Sequence, residues 1–155
     1  MSTRALVRVK SNNGASTMVC IYVHGDGYPS ALGEMLKEFL AGRIVVNGIS
    51  ENYNPKTHSN GMGELAAQLV GWLRDNDICK AHGGWIYLYN DECGDVSQEY
   101  EYEIRLPKGM TWSLPRTGVE PILRCWESDG DGKHGNLLFD GKAKDWNTAE
   151  TENDE

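Results

Sequence analysis

The period of the apolar residues changes along this chain, and that change limits the fold more than any other feature. Leu32, Met35, Leu36, Phe39 and Leu40 fall at i, i+3, i+4, i+7 and i+8, the stripe of a helix that buries one side. Met62, Leu65, Ala66, Leu69, Val70 and Leu73 repeat that spacing, with Trp72 at the stripe's edge. Before and after these helices the period is two. Ala5, Val7 and Val9 alternate with Arg4, Arg8 and Lys10, with Leu6 breaking the pattern, and residues 17–23 (TMVCIYV) are β-branched and aromatic. The Ser11-Asn12-Asn13-Gly14 cluster between them predicts a hairpin turn.

In the second half, Trp85, Tyr87 and Tyr89 alternate with Ile86 and Leu88, so both faces are apolar or amphipathic; this predicts a central strand buried on both sides. Tyr100, Tyr102 and Ile104 alternate with Glu101, Glu103 and Arg105, which predicts a one-sided strand whose glutamates are solvated. Trp112-Ser113-Leu114 and residues 122–126 predict two further short strands, and Leu137-Leu138-Phe139 a last edge strand or a docking segment. Ser30 is placed as a helix N-cap, Gly42 as the residue that ends the first helix, and Asn60 as the second N-cap. Residues 52–60 are polar, contain Pro55, and predict an exposed loop. Two strands, two helices and then several strands predict an α+β fold, a mostly antiparallel sheet with two amphipathic helices packed on one face.

At 155 residues the chain is expected to form a single domain over residues 1–143. Residues 144–155 carry five acidic side chains against Lys144, and Trp146 as their one large apolar residue. They are expected to be an acidic, disordered tail. The formal charge of −8 argues against direct binding to a nucleic-acid backbone, which needs a positive footprint. No apolar run follows Arg4, Arg8 and Lys10, so no signal peptide is expected, and no segment approaches a membrane span. Cys20, Cys79, Cys93 and Cys125 are widely and irregularly spaced and are read as reduced thiols of a cytoplasmic protein.

The stretch with the chemistry of a site is Tyr22-Val23-His24-Gly25-Asp26-Gly27-Tyr28-Pro29, where a strand gives way to a helix. On an extended backbone His24 and Asp26 would point the same way, able to share a proton or a metal. The following helix turn would offer open amides to an anion. The structural reading of the same residues makes Asp26 an acceptor for turn amides, lets Gly27 supply a positive φ, and uses Tyr28 and Pro29 to fix the helix entry. Candidate binding residues are therefore Tyr22, His24, Asp26, Gly27 and Tyr28.

Cys79, His82 and Cys93 supply three side chains, two thiols and an imidazole, that could converge on zinc, without an evident fourth ligand. No cofactor is otherwise implied. Asp129-Gly130-Asp131-Gly132 lacks the closing glutamate of a calcium loop and reads as a hairpin turn. Phosphate-binding loops, dinucleotide fingerprints, nucleophile elbows and metalloprotease motifs are absent.

Together, MSTRALVRVK, IYVHGDGYPSALGEML, GWIYLYN and EYEYEI resemble a group of uncharacterised small proteins of tailed phages and prophages that carry a Tyr-x-His-x-Asp-Gly-Tyr-Pro segment. Tyr22, His24, Asp26, Gly27, Tyr28, Pro29 and Gly33 match that form, while Gly25 stands where an aromatic residue is usual. The resemblance spans most of residues 1–105 and implies a phage accessory role in the host cytoplasm. Two functions follow as expectations. One is a non-catalytic protein whose acidic surface binds a host or defence protein, with no direct contact to nucleic acid or membrane. The other is a site for a nucleotide or phosphate compound, or a hydrolase, built on the His24/Asp26 corner.

Overall fold

The structure is a computed structural model that describes residues 3–76, 86–90, 96–110, 118–130 and 134–152. It has an α+β fold. Strands β1 (Ala5–Lys10) and β2 (Thr17–Val23) form the expected hairpin, with Gly14 at φ +72 in its turn. A π-helical turn at Pro29–Gly33 runs into α1 (Glu34–Leu40). Next come β3 (Ile44–Val46), β4 (His58–Asn60) and α2 (Gly61–Asp75). Strands β5 (Ile86–Tyr89), β6 (Tyr100–Arg105), β7 (Ile122–Ser128) and β8 (His134–Gly141) follow. A 3-10 turn at Ala143–Asp145 leads into α3 (Thr148–Glu152).

Six strands make one sheet in the order β5-β2-β1-β6-β7-β8. Only the central pair, β1 with β6, is parallel; the other four pairings are antiparallel. A small second sheet pairs β3 with β4 in parallel. Part of the stretch expected to be an exposed loop is thus a strand, because residues 58–60 find the apolar 44–46 segment as a partner.

The main core joins Val7, Val9, Ile21, Val23, Tyr102, Ile104 and Leu123 of the sheet to Leu32, Leu36, Phe39, Leu65, Leu69 and Leu73 of the helical segments. Helix α2 packs against β1 and β2, while α1 contacts the π turn and the 3-10 turn. Leu6 broke the alternation of β1 because it serves a second, smaller cluster with Cys20 and Tyr22 on the other side of the sheet. Arg43, just past α1, ties the small sheet to the helices. Its guanidinium donates to Gln68 Oε1 (3.0 Å), Ser59 Oγ (3.3 Å) and the Lys56 carbonyl (3.0 Å), and it lies 4.2 Å over the Phe39 ring. Burial lowers its proton affinity below the ordinary arginine value, with Tyr53 and Glu64 acting against that.

Several local expectations change. The first helical segment is capped at Tyr28, with Pro29 in the first turn, so Ser30 lies inside that turn. Proline suits this place, having no N–H to leave unsatisfied and a φ already helical. Gly42 does follow the helix end, at φ +70. Asn60 occupies the N-cap of α2, yet its side chain accepts from Gly48 N–H (2.8 Å). The helix amide of Met62 is satisfied instead by Asn12 Oδ1 (2.8 Å), delivered by the β1–β2 turn.

Strand β5 is at the end of the sheet and not at its centre, and only its first residue is buried. Glu101 is 1% exposed, not solvated, because β6 is covered on both sides. Residues 143–152 are packed on the rest of the chain. Trp146 is 3% exposed, stacks on Phe139 (ring centroids 5.0 Å, 12° between planes) and lies against Gly33; its carbonyl accepts from Lys37 Nζ (2.7 Å). One large aromatic side chain has enough area to dock a segment whose other residues are polar. The expected strand at Trp112–Leu114 lies outside the described residues.

Candidate functional site: the β2–β5 edge and the corner below it

The glycine-rich corner divides into a structural half and a surface half. In the structural half, Asp26 rather than Gly27 adopts the left-handed backbone, at φ 55. Its carbonyl accepts the Leu32 amide (3.2 Å), and the Tyr28 carbonyl accepts the amides of Ala31 (3.0 Å) and Gly33 (3.5 Å). The helix entry therefore satisfies three of its own first N–H groups, and Pro29 has none, which removes the donors an anion would need there. Gly27 is required for a different reason from the one expected. A Cβ on it would stand 2.6 Å from Ala5 Cβ and 3.0 Å from the Thr3 carbonyl oxygen. Its N–H donates to that same Thr3 oxygen (2.9 Å), and its carbonyl accepts from the buried Tyr102 hydroxyl (2.8 Å). Tyr28 is half-buried at the cap. Asp26, Gly27 and Tyr28 hold the corner against the sheet.

The surface half rests on Tyr22, itself buried, and on half-buried His24. The Tyr22 hydroxyl shares a hydrogen bond with His24 Nδ1 (2.7 Å), and the two rings meet edge to face at 5.8 Å. Tyr22 pairs with Tyr87 across β2 and β5, and its ring is 5.8 Å from Tyr87 and 5.7 Å from Tyr89. Burial raises the Tyr22 hydroxyl above the ordinary tyrosine value. Arg4 works against this by charge and by a hydrogen bond, while Tyr89 and Tyr87 add to it. The result is a ladder of three tyrosines ending at a half-buried histidine.

The outer rung is open. Tyr87 is 51% exposed, Leu88 55% and Tyr89 42%, three consecutive large side chains on a terminal strand. A sequence pattern of alternating apolar residues cannot distinguish this from a buried central strand, so Tyr87, Leu88 and Tyr89 were not among the candidate binding residues. Their exposure follows from strand order alone.

Surface cavities of about 240 to 510 Å³ among the described residues are lined by residues other than His24 and Asp26. Cys79, His82 and Cys93 lie outside the described residues, and among the described residues no three His, Cys, Asp or Glu side chains are grouped to hold a metal ion. Cys20 and Cys125 are buried free thiols, and desolvation pushes the Cys125 thiol well above its ordinary value, which leaves it a poor nucleophile.

On the far side of the sheet, buried Glu101 accepts from Arg8 Nη1 (2.9 Å), and His134 Nε2 is 3.5 Å from its other oxygen. The His134 ring stacks on Trp126 at 3.9 Å. The Arg8 bond is the pairing that a carboxylate with so little access to water requires, while its buried Oε2 makes no hydrogen bond among the described residues. Among the described residues no helix is long and apolar enough to cross a membrane. Comparison with protein-family models, with curated proteins and with solved structures finds no match to this chain.

Proposed function

We propose that the chain is a non-catalytic binding protein that takes an extended segment of a host or defence protein along the β5 edge. The observation that carries this reading is the run Tyr87-Leu88-Tyr89, exposed on the terminal strand of the sheet. An edge strand offers unpaired backbone groups to an added strand, and alternate side chains then set specificity. Tyrosines supply large contact area at small cost in side-chain freedom. Tyr22 and His24 brace the ladder from below, so the surface is formed before a partner arrives. The formal charge of −8 favours a partner with a basic surface, by raising the association rate and fixing orientation more than by adding affinity. The resemblance to small proteins of tailed phages and prophages supports the choice of a host or defence protein.

The test is capture from host lysate at low and moderate salt by the wild-type chain and by the double variant Tyr87→Lys/Leu88→Lys. A protein retained by wild type at both salts and lost from the variant is the expected result. Equal retention by both chains, or none by wild type at either salt, would sink the proposal.

A further inference from the structure

A cavity of about 470 Å³ opens where β6, β7 and β8 meet, lined by Arg105, Leu106, Pro107, Lys108, Ile122, Arg124 and Asp140. Its walls carry three cations in a chain with eight excess negative charges. The two arginines are held in place without being used up. Glu103 stands between them, with Oε1 3.4 Å from Arg105 Nη1 and 3.8 Å from Arg124 Nη1. Both distances exceed the roughly 2.7–2.9 Å of a strong charge-assisted bond. Arg124 Nε is 3.2 Å from Asp140 Oδ2, yet it is buried and makes no well-directed hydrogen bond. Lys108 is exposed at the rim. Against Arg105, Lys108 and Arg124 stand two acids, Glu103 and Asp140, so the local balance is positive.

We infer that this cleft binds a small organic oxyanion, a carboxylate or phosphate head on an apolar body. Arg105 and Arg124 line the cleft with planar guanidinium forks, the geometry that matches such a head group. Half-buried Pro107 and Ile122 form the apolar wall for the body. A volume of this size is in the range of small-molecule sites, which are largely apolar with a few fixed polar groups. The site is separate from the β5 edge and does not depend on the function proposed for that edge. Glu103 and Asp140 act as positioning residues, since they hold the arginines that would touch the ligand.

The test uses the full chain at low ionic strength, with hexanoate, hexyl phosphate, inorganic phosphate and 1-hexanol as probes, read by calorimetry and by amide chemical shifts. Saturable binding of hexanoate or hexyl phosphate is expected, with shifts centred on residues 105–108 and 122–124; which of the two binds tighter identifies the head group. Arg105→Gln/Arg124→Gln should weaken binding by about tenfold or more, the scale of hydrogen bonds to charged groups. Lys108→Gln, at an exposed position whose change leaves the fold intact, should weaken it about two- to threefold. Binding of neither organic anion overturns the inference, as does hexanol binding as well as hexanoate, or affinity unchanged in both variants. Equal affinity for inorganic and hexyl phosphate would overturn the apolar wall.

Discussion

The two edges of the six-stranded sheet are built differently. Strand β8 is eight residues long, and its pairing with β7 shifts register twice. It carries His134 and Asp140, and Trp146 packs against its Phe139. Bulges, charges and a covering segment are the usual ways to keep an edge from recruiting another strand. Strand β5 is four residues long, pairs with β2 without a register shift, and has no charged residue in IYLY. It is short, and three of its four side chains are exposed. The β8 edge is thus irregular and carries charge, whereas the β5 edge is regular and apolar.

That contrast can be broken most severely at β8. Trp146→Ala should cost about 3–5 kcal/mol, the range for deleting a buried aromatic, since it opens a cavity between Gly33, Phe139 and Tyr102. Urea unfolding measures it. A loss below about 1 kcal/mol would mean that Trp146 does not pack against Phe139 in solution. Gly27→Ala tests the support beneath the β5 edge. The new methyl group would press on Ala5 Cβ and the Thr3 carbonyl, so a loss of about 1–3 kcal/mol is expected. An unchanged midpoint would show that the corner yields easily. The smallest effect should come from the open edge itself. Tyr87→Lys/Leu88→Lys changes side chains more than half exposed, so stability should move by no more than about 0.5 kcal/mol while partner capture disappears. A large destabilisation would place these side chains in the fold's packing and remove the contrast between the edges.

Much of the fold was legible in the residue pattern because burial imposes a local period. The hairpin at Ala5–Val23, both helical stripes and the alternation in Tyr100–Arg105 all follow from residues that must face one core. The candidate site was legible only in part. Tyr22 is buried and bonded to half-buried His24, whereas the main chain of Asp26, Gly27 and Tyr28 builds the turn. Gly27 illustrates the limit. The sequence marks a position that tolerates only glycine, but the cause is close packing under Ala5, a residue 22 positions away, and not its own backbone angle.

By itself, then, the sequence determined the main hairpin and helices, the α+β class and the negative charge, since each depends on neighbouring residues or on composition. Tertiary structure decided which strands became edges, that Glu101 would be buried beside Arg8, and that Trp146 would draw an acidic segment onto the domain. The physical reason is common to all three. Whether a side chain meets water depends on elements far away in the chain, and a strand such as Ile86–Tyr89 has the same local pattern with two neighbours as with one.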